Sequence, residues 1–296
     1  MGATKNKKGK RRPLFSKAFF IFGVALIFFI IIGGFILYFR QAIKEGKHEN
    51  IPSAPQVAKI EKPQAMPLKP HIPKAQVAIV IDDMGRDTKM LKEILEINAP
   101  IAVAVLPFLP HSRDVAKEAN LMGLDVLLHL PMEPKDLSSN DPGEGAIFTN
   151  MSEAQVASQV KKDVDAVPYI TGINNHMGSK FTEDEKLMRA VLEIAKKENL
   201  FFLDSKTTNK SAAYRLAKDM GLKTATRQIF LDNKEDIAYI KGQIGNLIRV
   251  AKKRGSAIAI GHPYPATIAA IKDMMSRLNE DVEIVPVSSL IDSVNE

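Results

Sequence analysis

The chain of 296 residues contains no cysteine. This absence excludes disulfide bonds, thiolate metal sites and cysteine nucleophiles. It is compatible with either a reducing or an oxidising compartment, so the location of the protein has to be inferred from other features. Candidate chemistry therefore has to come from carboxylate, amide, hydroxyl and imidazole side chains.

Acidic residues are missing from positions 1–17, although seven lysines and arginines lie there. The charge of this tail equals the whole formal net charge of +7, and the sequence from residue 75 onward is mildly acidic. Aromatic residues make up only 6% of the chain, and the basic, aromatic-rich surface typical of nucleic-acid-binding proteins is not evident. The composition therefore argues against a nucleic-acid partner.

Charged residues are also missing from positions 18–39, an apolar run of 22 residues. About 20 apolar residues are enough to cross the hydrocarbon core of a bilayer as a helix. The run ends at Phe39 and Arg40, without the small-residue site at which a signal peptide is cleaved. We therefore expect an uncleaved anchor in the inner (cytoplasmic) membrane, with the lipid bilayer as a partner. Because basic flanks resist translocation, residues 1–17 should form a cytoplasmic tail and the C-terminal domain should be extracytoplasmic.

Residues 40–75 contain six prolines and show no apolar periodicity. This composition predicts a proline-rich linker, an extended and semi-rigid stalk. After the linker, short apolar runs alternate with longer amphipathic ones and no second linker follows. The pattern predicts one domain of ordinary size over residues 76–296.

This alternation is typical of an α/β fold. The predicted strands are Val77–Asp82, Ile101–Leu106, Asp125–Leu130, Ile170–Asn174, Leu200–Asp204, Thr226–Leu231, Ala257–Gly261 and Val282–Pro286. Helices are predicted in the gaps between them. Seven or eight β-α repeats favour a distorted (β/α)7–8 barrel, and an open three-layer sheet stays the alternative.

Polar side chains of catalytic or metal-binding types follow most of the predicted strands. They are Asp82 and Asp83 at the first strand, His111 past the second, His129 in the third, Glu133 in the loop after it, Asn175 and His176 after the fourth, Asp204 and Ser205 at the fifth, and His262 after the seventh. Because the carboxyl ends of parallel strands face one common rim, we expect a shared site there.

Each of these residues also has a purely structural explanation. The two aspartates are of the type that caps a turn or a helix, and His129 and His262 can be satisfied core histidines. Asp204 with Ser205 can form a local turn, and Glu133 can be a solvated loop charge. The prediction of a site therefore depends on the joint placement of these residues.

At these residues the chain resembles the polysaccharide deacetylase superfamily, the NodB-homology enzymes, and specifically its divergent bacterial branch. Residues 80–85 (VIDDMG) are similar to the family's first motif, a strand that ends in two aspartates and a glycine. The resemblance implies that Asp82 is the general base and that Asp83 binds a metal ion. It extends over most of residues 76–287.

Residues 123–129 (GLDVLLH) are similar to the lead-in to the family's second motif, which implies that His129 is a metal ligand. Glu133 stands where the family has a second histidine. The family's next motif, an arginine with two prolines, is replaced by residues 175–179 (NHMGS). The resemblance thus implies that His176 supplies the missing ligand.

Two further segments complete the resemblance. Residues 202–205 (FLDS) fall where the family has its fourth, aspartate-bearing strand end. Residues 261–263 (GHP) match the last motif, which implies that His262 is the general acid.

The resemblance implies a metal-dependent hydrolase that removes acetyl groups from a cell-envelope glycan such as peptidoglycan. Asp83, His129 and His176 would hold a divalent cation, for which Zn²⁺ is the first choice. Two other classes stay open. One is a catalytically degenerate carbohydrate-binding or scaffold protein of the envelope with the same fold, and the other is a partner-binding anchor that acts through the stalk.

Overall fold

The computed structural model describes residues 73–291, together with residues 32–34, 37, 40 and 41, which are helical. The predicted tail at 1–17, most of the predicted anchor at 18–39 and most of the predicted linker at 40–75 lie outside the described residues. Among the residues that are described, no helix is both long enough and apolar enough to cross a membrane.

From residue 73 to residue 291 the chain alternates strands with helices. The strands are β1 (Gln76–Met84), β2 (Ala102–Val105), β3 (Val126–Met132), β4 (Gly172–Met177), β5 (Phe201–Asp204), β6 (Thr224–Thr226), β7 (Ile229–Phe230), β8 (Ser256–Gly261) and β9 (Glu283–Ile284). The helices are α1 (Lys89–Leu95), α2 (Ser112–Leu121), α3 (Glu153–Ala166), α4 (Glu185–Lys197), α5 (Ala213–Asp219), α6 (Ile237–Arg254) and α7 (Pro265–Asp281). The predicted α/β class is confirmed.

The strands form an α/β half-barrel. They pair in parallel in the order β6-β5-β4-β3-β2-β1-β8-β7, and β9 pairs with the start of β1. Only Arg227 and Gln228 separate the edge strands β6 and β7 in the chain. The Arg227 N–H donates to the carbonyl of Asp204 on β5 (3.1 Å), and the Gln228 N–H donates to that of Ile258 on β8 (2.9 Å). This crossing links the two edges of the sheet, which is consistent with a distorted barrel.

Apolar side chains pack on both faces of the sheet. On β1, Ile79 and Ile81 belong to the large cluster shared with the helices. Ala78 and Val80 belong to a second cluster, built from strands and from the 3₁₀ turn Val287–Leu290. Because successive side chains of a strand point to opposite faces, the second cluster marks the inner face of the half-barrel. Burial on both faces explains why the strands are almost wholly apolar.

The predicted sixth strand is interrupted, because a side chain takes over hydrogen bonds of the main chain. Gln228 Oε1 accepts from the N–H of Ile258 (2.6 Å), and Gln228 Nε2 donates to the carbonyl of Thr226 (2.6 Å). These contacts satisfy main-chain groups that a continuous ladder would pair. The predicted eighth strand is also shorter than expected, since only the two residues of β9 pair with β1.

One fully buried carboxyl group lies under the loops between the strands and the helices. Asp163 on α3 accepts a hydrogen bond from Gln159 Nε2 at Oδ1 (2.8 Å), and its Oδ2 has no hydrogen-bond partner among the residues that the structure describes. Gly145 approaches so closely that a Cβ there would lie 2.8 Å from Asp163 Oδ1. Burial raises the pKa of Asp163 to about 7.

This pKa predicts a pH-dependent stability. Folding favours the protonated form of Asp163. The stability that this preference gives to the folded state is fully present below about pH 4 and is lost as the pH rises through 7. Asp163→Asn should remove this loss and increase the free energy of unfolding at pH 8 by on the order of 2–4 kcal/mol. Urea unfolding of the wild type and the variant at pH 5 and pH 8 measures the two free energies of unfolding. The assignment is wrong if the variant keeps the wild-type dependence on pH.

Candidate functional site

The polar side chains of the candidate site lie on the inner face, at the carboxyl ends of the strands. His129 on β3 is paired directly with Asn174 on β4. His176 lies two residues after Asn174 and therefore on the same face. Asp82 and His262 each lie two residues beyond an inward apolar residue, on β1 and after β8. Strand alternation thus brings together residues that are far apart in the sequence.

Asp83 reaches the same place through an irregularity in β1. The register between β1 and β2 shifts between Ile81 and Met84. Asp83 itself has a φ of 55°, in the left-handed region that is unfavourable for a residue other than glycine. A bulge re-aims the side chains of a strand, so two consecutive aspartates both face the histidines.

Asp83, His129 and His176 present three ligand atoms to one point. Asp83 Oδ1 lies 3.1 Å from His129 Nε2 and 2.9 Å from His176 Nδ1. The two nitrogens are 3.1 Å apart. The buried Asp83 Oδ1 has no hydrogen bond of acceptable geometry within the described part of the chain.

These three atoms fit a divalent cation. Zn²⁺ binds nitrogen and oxygen ligands at about 2.0–2.2 Å, so the ligand atoms of a tetrahedral site lie about 3.3–3.6 Å apart. The observed separations of 2.9–3.1 Å are close to this spacing. The orphaned carboxylate oxygen would gain a partner if an ion were bound.

The electrostatics of the cluster favour positive charge. Burial raises the pKa of Asp82. Burial alone would lower the pKa of His129, but Asp82 and Asp83 outweigh it and raise that pKa to about 9. For Asp83, burial raises the pKa, whereas the contacts with His129 and His176 hold it well below its usual range. The cluster therefore binds a proton tightly, and the negative charge of the two aspartates would also attract a divalent cation.

Asn174, which the sequence interpretation missed as a site residue, connects two of these groups. Its Oδ1 lies 2.9 Å from His129 Nδ1, and its Nδ2 donates to Asp82 Oδ1 (2.8 Å). The signal available in the sequence was its position, two residues before His176 on the same strand. Alternation alone would have put it on the inner face.

The sequence interpretation also missed Asp232, which makes two hydrogen bonds with His262. Asp232 Oδ1 lies 3.0 Å from His262 Nδ1, and Oδ2 accepts from the His262 N–H (2.6 Å) and from Thr267 Oγ1 (2.7 Å). His262 Nε2 then faces Asp83 Oδ2 at 3.8 Å. Burial lowers the pKa of His262, but Asp232 and Asp83 outweigh it and raise that pKa. Asp232 directly follows the predicted sixth strand, Thr226–Leu231, so the pattern that identified the other strand-end residues applied to it as well.

Glu133, predicted as a rim candidate, lies outside the donor cluster. Its Oε2 accepts from the N–H and the hydroxyl of Thr149 (both 2.6 Å), and its Oε1 pairs with Lys180 Nζ (2.7 Å). Burial raises the pKa of Glu133, but Lys180 and Thr149 outweigh it and lower that pKa. Glu133 therefore ties two loops together, and its carboxylate is already satisfied.

Asp204 does not contribute to the cluster either. Its neighbour Leu203 is on the inner face, so Asp204 points to the helix side. There its Oδ1 accepts from the N–H of Lys206 (2.7 Å) and its Oδ2 from Ser211 Oγ (2.7 Å). The turn-forming explanation of Asp204 is the one that fits.

Asn175 and Ser205 join the ends of β4 and β5. Asn175 Oδ1 accepts from the N–H of Ser205 (2.9 Å), and its Nδ2 donates to the carbonyl of Met177 (2.8 Å). Ser205 Oγ lies 3.3 Å from Asn174 Nδ2, so it borders the site. Both residues fix the strand ends from which the donors project.

A cleft of about 480 Å³ opens beside Asp83 and His176. Its other walls come from the segment after β1, from the segment after β2, from residues 141–143 and from Tyr264. Most of this lining is apolar, with Arg86 as a cation at its edge. The cleft gives a ligand access to the donor cluster from solvent.

At its rim, the half-barrel of parallel strands gathers an aspartate pair and three histidines, which is compatible with a polysaccharide-deacetylase-like protein. Residues 79–291 match the family model described as divergent polysaccharide deacetylase. The chain belongs to this family, and the resemblance to the divergent branch is confirmed.

The chain is also similar to three proteins of uncharacterized function. The uncharacterized protein YibQ of Escherichia coli (strain K12) is 40% identical over 216 residues, which cover 73% of this chain and 67% of that protein. An uncharacterized protein of Haemophilus influenzae is 39% identical over 217 residues, covering 73% and 77% of the two chains. The crystal structure of the uncharacterized protein ATU2773 from Agrobacterium tumefaciens C58 has a TM-score of 0.70 at 23% identity, over 74% of this chain and 90% of that one. This last likeness shows the fold.

The donor cluster predicts stoichiometric binding of Zn²⁺. His176→Ala and Asp83→Ala should each weaken Zn²⁺ binding by about 100-fold or more, because each removes one of three protein ligands. The matched control is His111→Ala, since His111 is exposed and pairs with Asp114, outside the donor cluster. Metal content after dialysis and a competition titration measure the effect. Equal affinity in all four proteins would contradict the assignment.

Proposed function

We propose that the domain is a metal-dependent hydrolase that removes acetyl groups from a cell-envelope glycan. The observation that carries the proposal is the trio of converging ligand atoms on Asp83, His129 and His176, with Asp82 and His262 beside it. An arrangement of this kind offers a base, an acid and a cation site around one reacting carbonyl. The adjoining cleft is the place for the sugar unit.

A bound divalent cation would supply Lewis acidity, polarising the acetyl carbonyl and making a water more acidic. Asp82 is placed to take the proton of the attacking water, because its carboxylate is buried and borders His129 at 3.5 Å. The pKa of Asp82 is raised by burial, which makes it a stronger base than an exposed aspartate.

His262 is placed to return a proton to the departing group. Asp232 accepts at the Nδ1 side, which directs Nε2 toward the site. The raised pKa of His262 favours the protonated form that an acid needs. The bond between the acetyl carbon and the sugar nitrogen or oxygen breaks, and the products are acetate and a free amine or hydroxyl.

We propose further that residues 18–39 anchor the protein in the membrane and that residues 40–75 hold the domain away from it. This location is supported by the apolar run, the basic tail and the prolines. A domain on such a stalk would meet an acetylated wall or surface glycan. Peptidoglycan is the first substrate to test.

A carbohydrate-binding scaffold is the second candidate. It is favoured by Glu133, which stands where the resemblance places a histidine and which is neutralised by Lys180. Such a protein would keep the cleft and bind the same glycans without releasing acetate. The turnover experiment below separates the two functions.

Asp82→Asn should reduce acetate release by about 10²–10⁴-fold, the usual contribution of a general base. Zn²⁺ content should stay at the wild-type level, because the three ligands are unchanged. The matched control is Asp163→Asn, the same substitution at a buried aspartate that bonds to Gln159 and not to a residue of the donor cluster. Acetate is measured from acetylated peptidoglycan and from a simple acetyl ester. If zinc-loaded wild-type protein releases none but binds the glycan, the scaffold function is correct.

Asp232→Asn should lower kcat by about 10- to 10³-fold, because the imidazole of His262 loses the group that fixes its orientation and tautomer. KM and Zn²⁺ content should change little. Steady-state kinetics together with metal analysis test this prediction. A wild-type kcat in Asp232→Asn would show that Asp232 does not position His262.

A further inference from the structure

We propose that Asn174 is a positioning residue that couples the base Asp82 to the metal ligand His129, an inference that rests on the proposed function. One side-chain amide contacts both groups, through its two different ends. The amide oxygen contacts the ligand His129, and the amide nitrogen donates to the base Asp82. A single residue would thus set the geometry of both halves of the site.

The contacts of Asn174 fix which way its amide points. The NH₂ group donates to Asp82 Oδ1, at 2.8 Å, which is the contact that a carboxylate acting as a base can accept. The amide oxygen is then left to face His129 Nδ1, at 2.9 Å. This oxygen can only accept, so Nδ1 carries the proton.

The proton on Nδ1 determines what His129 offers to a cation. In the neutral ring, a proton on Nδ1 leaves the lone pair on Nε2. Nε2 is the atom that lies 3.1 Å from Asp83 Oδ1 and 3.1 Å from His176 Nδ1. Asn174 therefore selects the tautomer of His129 that a metal site requires.

The surroundings of Asn174 leave its amide little freedom to turn. The residue is fully buried, and it is paired in register with His129 across β3 and β4. Ser205 Oγ lies 3.3 Å from the same Nδ2 and offers a second acceptor. The strand pairing and the hydroxyl together hold the amide between the two groups.

A neutral amide suits this position better than a carboxylate would. An aspartate at 174 could still accept from His129 Nδ1, but its second oxygen would lie against Asp82. Two carboxylates in contact repel each other in a buried site. The two ends of Asn174 can therefore be tested separately.

Two variants separate the two contacts. Asn174→Leu removes both, and it should weaken Zn²⁺ binding by about 10–100-fold, the usual effect of losing the hydrogen bond that orients a histidine ligand. Asn174→Asp keeps the acceptor for His129, so its Zn²⁺ affinity should stay within about threefold of wild type or increase. The same variant should lose at least about tenfold in kcat with KM little changed, because the base is disturbed.

Ile173→Ala is the control for general destabilisation. Ile173 lies on the same strand and is fully buried, but it belongs to the cluster on the helix side. Its truncation should destabilise the fold by as much as a change at Asn174. Zn²⁺ affinity in this variant should equal that of wild type.

The measurements are a competition titration with a chromophoric chelator for Zn²⁺ and steady-state acetate release, both on the full chain. Wild-type affinity in Asn174→Leu, or an equal loss in Asn174→Leu and Ile173→Ala, overturns the proposal. A loss of affinity in Asn174→Asp as large as in Asn174→Leu overturns it too. If wild-type protein binds Zn²⁺ but releases no acetate, the proposed function fails, and the affinities alone decide whether Asn174 positions His129. If the wild-type protein does not bind Zn²⁺, both the positioning role of Asn174 and the proposed function are wrong.

Discussion

The pairing of β3 with β4 is the constraint on which the rest of the candidate site depends. It sets His129 beside Asn174, and two residues further it sets Pro131 beside His176. Because side chains alternate along a strand, a slip of one residue would turn all the inward groups to the helix side. Such a slip would also bury the polar His129 and Asn174 in the apolar cluster on the helix side, which is unfavourable for polar groups. The packing of the core therefore fixes the geometry of the polar rim.

The polar rim costs stability that the apolar strands must offset. Asp82 and His129 are buried, and a buried charge is tolerated only with close partners. Asp83 adds a left-handed backbone conformation and an oxygen that has no hydrogen bond within residues 73–291. Apolar side chains of similar volume would pack at these positions at a lower cost. A cluster that is unfavourable for folding in three separate ways is hard to explain as packing, and a cation would relieve two of them, the buried negative charge and the oxygen without a hydrogen bond.

The sequence predicted the fold more fully than the site. Apolar runs and their spacing identify the strands, because a strand buried on both faces has to be apolar along its whole length. Strand ends identify Asp82, His129 and His176 as neighbours, but they do not say which face each residue occupies. Counting alternate positions from the core would have separated Asn174, which faces inward, from Asp204, which faces the helices. The bulge that turns Asp83 inward depends on tertiary pairing with β2, and no local signal predicts it.

Glu133 and His176 show how three ligand atoms can be kept when one position in the sequence changes. The resemblance places a second histidine at position 133, at the end of the same strand as His129. Here Glu133 is engaged by Lys180 and Thr149, and His176 approaches from the neighbouring strand. The β3–β4 register makes this exchange possible, because it sets His176 beside Pro131, between His129 and position 133. A side chain on the adjacent strand can therefore join Asp83 and His129, so the composition of such a cluster depends on strand register as well as on motif spacing.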